Sequence, residues 1–428
     1  MQTTHTTEGA KPGQDIPDLR LFVFALFFIF GGITSLNDIL IPKLRSLFTL
    51  SHAEGMLVQS AFFAAYFIIS MPAAAIIKRV GYMRAAVAGL LFMMAGCLLF
   101  IPASLSALFV MFLLALFVLA SGITIIQAVT NPLISLLGTP DTAHSRLTFA
   151  QAFNSLGTTV FPYVGSILIL GSLATVDPAT LAGPALDAFR RAETNMIIRT
   201  YLGLAVALAV IAALVWARRK RLAETLSDSA EILKAFNLLA RPRFAFGAAC
   251  IFLYVGAEVA IGSIIVNYLM QSDVLGMMAE PAGEHVPFYW GGALVGRFIG
   301  AYVLKYVSPG KVLAFNAGTV VLLLLVSANT VGAISGWSLL AIGLFNSIMF
   351  PTIFALASEG LGPRTADGSG IICMAIVGGA IVPLIMGAAA DAMGLKGAMV
   401  IPAICYLGIL VFGLYARRRA TAENLANA

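Results

Sequence analysis

From residue 20 to residue 416 the chain is a succession of long apolar runs, broken only by short charged or turn-rich segments. A soluble domain cannot be built this way, because it must cover its exterior with polar side chains. Here 60% of residues are hydrophobic and only 11% charged, against about a quarter charged in ordinary soluble domains. Lipid must be the solvent for most of the surface. In lipid every backbone N–H and C=O has to be satisfied internally, which leaves helices or closed barrels. The runs last about twenty residues and lack two-residue alternation, so helices are selected.

Apolar windows place twelve transmembrane helices, spans one to twelve, over 20–46, 54–77, 83–104, 107–133, 146–172, 196–217, 243–270, 286–307, 311–330, 336–358, 366–391 and 395–416. Several exceed the ~20 residues that cross a bilayer, so tilt or kinks are expected at their internal Pro and Gly. The segment before span one is polar and ends in Asp15, Asp18 and Arg20, with no small-residue cleavage site after the apolar run. Span one is therefore expected to be retained rather than removed as a signal peptide.

Basic residues set the expected orientation. With both termini on one side, 20 of the 26 Lys and Arg fall on or near that side and 6 on the other. Positive-inside bias makes that side cytoplasmic, in a multi-pass plasma-membrane protein of a bacterial inner membrane. The same placement explains the net charge of +6 without nucleic acid, since Arg218, Arg219, Lys220 and Arg221, then Arg417, Arg418 and Arg419, abut helix ends. Cys97, Cys250, Cys373 and Cys405 lie inside predicted helices without metal-like spacing and read as packing residues. His5, His52, His144 and His285 fall in tails or loops, so neither a metal site nor a histidine relay inside the membrane is expected.

The longest charged stretch lies between spans six and seven and divides the chain. It gives a cytoplasmic tail (1–19), a six-helix bundle (20–217), a central cytoplasmic loop (218–242), a second six-helix bundle (243–416) and a cytoplasmic tail (417–428). The halves echo each other. Lys78 and Arg84, after span two, recur 227 residues later as Lys305 and Lys311 after span eight. Span four carries Pro132, followed by Gly138 and Pro140 and then Pro162 and Gly165; span ten carries Pro351, followed by Gly362, Pro363, Pro383 and Gly387. Two parallel six-helix repeats are the major facilitator architecture, in which substrate binds near the midplane and the halves rock around it. Lys78, Arg79, Arg84, Lys305 and Lys311 are then gating-loop candidates.

An ionisable group in a membrane helix costs on the order of 3 kcal/mol on insertion scales, so each needs a reason. Asp38 follows Asn37 in span one, Glu258 lies mid-span seven, and Arg297 lies in span eight. The two carboxylates are candidates for coupling to an ion; Arg297, within Gly296-Arg297-Phe298-Ile299-Gly300, reads as an anchor between helices near a gating loop. Gln127 and Asn131 are four apart on span four, and Gln151, Asn154 and Thr158 share one face of span five. Amides both donate and accept, which suits sugar hydroxyls, although they also serve as interhelical hydrogen bonds. Tyr163, Tyr268, Trp290 and Phe350 are aromatic candidates for stacking on a sugar ring.

The segments Leu36-Asn37-Asp38-Ile39-Leu40-Ile41-Pro42, Ala150-Gln151-Ala152-Phe153-Asn154-Ser155-Leu156-Gly157 and Phe350-Pro351-Thr352-Ile353-Phe354 resemble the fucose–galactose–glucose proton symporter family, and the likeness extends from span one to span twelve. The resemblance implies proton coupling at Asp38. L-fucose permease pairs this aspartate with a glutamate on span four, where this chain has Gln127, which cannot titrate. Residues Thr124 to Pro132, Glu258 and Asn346-Ser347-Ile348-Met349-Phe350-Pro351 resemble the glucose/galactose branch instead. Glu258-x3-Gly262 is similar to the Gln-x3-Gly of sugar porters, and Asn267 joins Glu258 at the cavity only if Gly262 breaks the helix, because nine residues turn a straight helix by ~180°.

The expected function is import of a neutral hexose, glucose or galactose, coupled to H+ or Na+ through Asp38, with Glu258 as a second coupling candidate. Asn37, Gln127, Asn131, Gln151, Asn154, Glu258, Asn267, Asn346 and Phe350 are the substrate-binding candidates. N-acetylglucosamine, mannose and L-fucose stay open as substrates, and drug export or sugar sensing on the same fold are the alternatives. No nucleotide-binding Gly-rich loop, zinc motif or nucleophile–histidine pair points to an enzyme. No cofactor beyond the coupling ion is expected, and nothing requires more than a monomer in the bilayer.

Overall fold

The computed structural model describes residues 17–48, 52–106, 108–165, 183–220 and 232–417. Spans one to nine correspond to α1 (Pro17–Phe48), α2 (His52–Val80), α3 (Tyr82–Ser106), α4 (Phe109–Leu136), α5 (Ala143–Gly165), α6 (Pro184–Arg218), α7 (Pro242–Leu269), α8 (Val286–Val303) and α9 (Pro309–Asn329). Span ten is split into α10 (Gly332–Asn346) and α11 (Met349–Ser358), span eleven into α12 (Thr365–Ala375) and α13 (Gly378–Ala398), and span twelve is α14 (Val400–Tyr415). Among the described residues, nine spans are long and apolar enough to cross a membrane by composition alone.

Local chemistry explains the ends. α6, α7 and α9 begin with a proline, whose missing N–H is not needed in a first turn. α2 ends on Lys78 and Arg79, whose charge suits the negative end of the helix, and Gly81 then takes a left-handed φ of 87°.

Several boundaries differ from the apolar windows for physical reasons. α6 begins at Pro184 rather than 196, because Ala185–Asn195 is helical but too charged for an apolar window. The split spans break near Pro351 and at Ile376–Val377, and Gly394 inside α13 adopts φ 76°, close to the expected start of span twelve. His144 belongs to the first turn of α5 rather than to a loop, because a short 3-10 turn, Pro140–Thr142, leads directly into Ala143. His52 likewise opens α2.

By contact the chain divides into two compact units, Met1–Leu133 with Leu156–Ala230, and Ile134–Ser155 with Glu231–Ala428. The α4–α5 corner therefore groups with the helices of the second unit. Helices in a bilayer gain no hydrophobic energy from each other, so close packing falls to small residues. In the first unit a Cβ on Gly157 of α5 would collide with the Phe28 carbonyl oxygen of α1. In the second unit a Cβ on Gly378 of α13 would collide with the Phe252 carbonyl oxygen of α7. Span one against five and span seven against eleven thus repeat one contact, as the parallel repeat in the sequence requires.

Candidate functional site

In the first unit, Gln127 of α4 is 8% exposed and its Oε1 accepts a 2.9 Å hydrogen bond from the Tyr66 hydroxyl of α2. That bond fixes the amide's orientation. Its Nε2 points elsewhere, and among the described residues nothing accepts from it. Asn131, one turn further along α4, is fully buried. Asn37 and Asp38 lie on α1, but their side chains fall outside the described residues.

In the second unit the decisive feature is the break between α10 and α11. Pro351 has no N–H, so the Ser347 carbonyl four residues earlier loses its helical donor. Arg297 of α8 supplies one: its Nε donates to Ser347 O at 3.2 Å. The Nη1 of the same guanidinium donates to Gln151 O of α5 at 3.0 Å and to the Ser155 hydroxyl. Arg297 is thus an anchor between helices, as its sequence setting suggests, and one with a specific acceptor at a proline break. α8 reaches that position because Gly292 and Gly296 face α10, where a Cβ on Gly296 would strike Leu344 O and Ser347 Oγ.

Glu258 of α7 is partly exposed and sits in a group of tyrosines. Tyr254, one turn before it, donates to Glu258 Oε1 at 2.7 Å and lies 3.0 Å from Asn346 O. Tyr406 donates to Asn346 Oδ1 at 2.8 Å, and Asn346 Nδ2 donates to the Tyr289 hydroxyl, also at 2.8 Å. Tyr289 donates in turn to the Glu258 backbone carbonyl at 3.3 Å. Asn346, expected to bind substrate, is instead 0% exposed with both ends of its amide held by tyrosines, so it frames the Glu258 site. Arg297 lies within electrostatic reach of the Glu258 carboxylate without hydrogen-bonding it.

The α4–α5 corner is held by polar contacts inside the second unit. The Ser145 hydroxyl donates to Ala301 O at 2.6 Å. His144 Nε2 lies 3.1 Å from Glu359 Oε1, and the other carboxylate oxygen of Glu359 pairs with Arg243. A carboxylate only accepts, so this His144 nitrogen carries the hydrogen. Arg146 donates to the carbonyls of Ile134, Ser135 and Thr139, taking up acceptors left over at the end of α4.

The other candidates distribute unevenly. α7 runs unbroken through Gly262, whose missing Cβ makes room for Trp290, so Asn267 stays exposed on the face opposite Glu258 and is not brought to it. Phe350 is buried near Phe354 at the break. Tyr268 is buried and spends its hydroxyl on Ser327 and Ser335, which leaves it as framework. The Tyr163 side chain is outside the described residues. Gln151 is buried and Asn154 half-buried on α5. Lys78 is half-buried, whereas Arg79, Arg84, Lys305 and Lys311 are exposed. Sequence reasoning missed Tyr254, although its i−4 spacing from Glu258 was a usable signal. It also missed Tyr289, Tyr406, Arg243 and Glu359, which carry no local signal.

A family model described as Major Facilitator Superfamily matches residues 22–376. The chain belongs to the Major Facilitator Superfamily. Within that superfamily it is similar to the glucose/galactose transporter of Brucella abortus biovar 1 (strain 9-941), with 49% identity over 96% of both chains. It is also similar to the putative glucose/galactose transporter of Helicobacter pylori (strain J99 / ATCC 700824), with 41% identity over 91% of this chain and 94% of the relative. Among solved structures, the superfamily transporter FucP in its outward conformation superposes with a TM-score of 0.84 at 30% identity, covering 94% of this chain and 99% of that one. The superfamily fold makes this chain a multi-pass membrane transporter rather than an enzyme.

Proposed function

We propose that this superfamily member imports a neutral hexose, glucose or galactose, by alternating access, driven by a cation gradient. What carries the reading is the likeness, over nearly the full length of both chains, to a transporter named for those two sugars. The chemistry of the described residues supports it. Among the described residues Gln127 presents an amide donor without an acceptor, held in place by Tyr66, and Gln151 and Asn154 line one face of α5. These groups are neutral, and a neutral polyol needs donors and acceptors without net charge.

In this reading Gln127, Asn131, Gln151, Asn154 and Asn37 contact the hydroxyls and Phe350 borders the ring. Asp38 is the coupling group. A carboxylate in the membrane interior is costly when charged, so a proton, or sodium held with neighbouring carbonyl oxygens, neutralises it before the cavity closes. The proton is favoured, because the chain is 32% identical over 93% of its length to a relative named L-fucose-proton symporter. Both termini are cytoplasmic, by the distribution of basic residues. The α4–α5 corner then faces the cytoplasm. Its contacts with α8, Glu359 and Arg243 are the polar ties of a cytoplasmic gate.

Counterflow in proteoliposomes tests the substrate. Vesicles preloaded with galactose should take up labelled glucose, and a competition panel should rank glucose and galactose ahead of mannose, N-acetylglucosamine and L-fucose. Competition by L-fucose alone would replace the hexose assignment with the fucose one.

A further inference from the structure

Around a charged Glu258 carboxylate the tyrosine hydroxyls carry fewer hydrogens than there are acceptors within reach. Each tyrosine hydroxyl brings one hydrogen. That of Tyr406 goes to Asn346 Oδ1, that of Tyr289 to the Glu258 carbonyl, and the amide of Asn346 supplies the Tyr289 oxygen. These assignments are mutually consistent with the amide oxygen of Asn346 facing Tyr406. Tyr254 is left with one hydrogen and two acceptors, Glu258 Oε1 at 2.7 Å and Asn346 O at 3.0 Å. With a charged carboxylate these two acceptors share that one hydrogen. A proton on Glu258 Oε1 completes the network, because the acid then donates to the Tyr254 oxygen and Tyr254 donates to Asn346 O. Buried and partly buried polar groups strongly favour such complete pairing.

We propose that Glu258 is a proton-binding group of this transporter, and that Tyr254 is a positioning residue that reports its protonation to the break in span ten. This rests on the reading of the chain as a cation-coupled transporter. The step is a single transfer. A proton from the aqueous side forms an O–H bond at Glu258 Oε1, the carboxylate goes from −1 to neutral, and the Tyr254 hydrogen bond moves from Oε1 to Asn346 O. Release reverses it, with no other bond made or broken. The consequence falls on the break: Asn346 O gains a donor only when Glu258 is protonated, one residue before the Ser347 carbonyl held by Arg297. The proton state of α7 is thereby felt at the junction of α10 and α11.

Among the described residues, the ionisable groups that act on Glu258 are Tyr254 on α7 itself, Arg297 and Tyr289 on α8, and Tyr406 on α14. Charged side chains at α11–α13 are engaged elsewhere or exposed. Glu359 pairs with Arg243, Asp367 with Arg364 and Lys396 with Asp273, while Asp391 is exposed. Arg297 favours the charged carboxylate, and its hydrogen bonds to Ser347, Gln151 and Ser155 keep it from completing the pair.

Difference infrared spectroscopy of the purified full-length chain in lipid tests this, using wild type, Glu258→Gln and Tyr254→Phe. Wild type at neutral pH should show the C=O band of a protonated carboxyl group. The band should vanish in Glu258→Gln and shift in Tyr254→Phe, which removes the acid's acceptor and keeps the ring. A wild-type spectrum without the band, as when Tyr254 shares its hydrogen between two acceptors of a charged site, overturns the proposal; so does a band unchanged by Glu258→Gln. Should Glu258→Gln fail to fold, the Tyr254→Phe shift decides alone, and an unshifted band refutes. Loss of hexose counterflow with the band intact would sink the sugar reading only. Proton-driven uptake without a Glu258 band would leave Asp38 as the proton site and remove Glu258.

Discussion

Replacing Arg297 with methionine removes a partner from three acceptors, and the three are not equivalent. Gln151 O still has the N–H four residues further along α5, and the Ser155 hydroxyl can turn to a carbonyl of its own helix. Ser347 O has no such fallback, because position 351 is proline. An average side-chain hydrogen bond between membrane helices is worth about 0.6 kcal/mol, whereas a buried carbonyl left without a donor costs about 1–3 kcal/mol. Most of the loss therefore sits at Ser347. The variant that isolates it is Arg297→Met combined with Pro351→Ala, since alanine restores the N–H that the carbonyl lacks. The double variant should be more stable than Arg297→Met by about 1 kcal/mol or more, while Pro351→Ala alone, with Ser347 O already satisfied, gains much less. Removing a partly buried cation also changes desolvation, but that contribution appears both with and without Pro351→Ala and cancels in the cycle. Unfolding of the detergent-solubilised protein by titration with sodium dodecyl sulfate, followed by helical circular dichroism, measures all four proteins. Independent sites add within about 0.3–0.5 kcal/mol. Additivity within that margin would refute the claim that Arg297 stands in for the donor removed by the proline.

Further outcomes follow from other contacts. Gly343→Ala places a methyl group against the backbone carbonyl of Tyr289, so α8 and α10 must separate, and the same assay should read a loss of about 1–3 kcal/mol. Glu359→Gln releases Arg243 and His144 from the α4–α5 corner and should raise the labelling rate of a cysteine placed behind that corner, whereas an unchanged rate would contradict its role as a gate. Asp273, in the loop after α7, is held below the ordinary carboxylate range by its hydrogen bond from Lys396 at 2.6 Å. Its contribution is present above the unfolded carboxylate pKa and is lost as pH falls through the lower folded value. Asp273→Asn should therefore lower thermal stability slightly at neutral pH and converge with wild type at acid pH, which flattens the acid limb.

The twelve spans were legible because lipid imposes one rule along the whole chain, and a run of apolar residues is what satisfies it. The rule fails at Ala185–Asn195, where helix continues after hydrophobicity stops. Pro351 announced a kink, but not where the break would fall. Its position at Ser347–Ile348 depends on Arg297 and Tyr254, which lie 50 and 92 residues away in sequence from the carbonyls they hold. Glu258 stood out as an isolated charge. Asn346 had the same polar signature as the sugar-binding amides, and only its distant partners Tyr289 and Tyr406 show that it frames the site instead. Asn267 was tied to a break in α7 that the helix does not make.

Concentrative uptake tests the central claim most directly. Proteoliposomes containing the wild-type chain, given labelled glucose or galactose and an inward proton gradient, should accumulate sugar above the external concentration. A protonophore should abolish that accumulation, and Asp38→Asn should prevent it while sparing counterflow. Accumulation that is indifferent to both proton and sodium gradients, or that survives Asp38→Asn, would contradict the account.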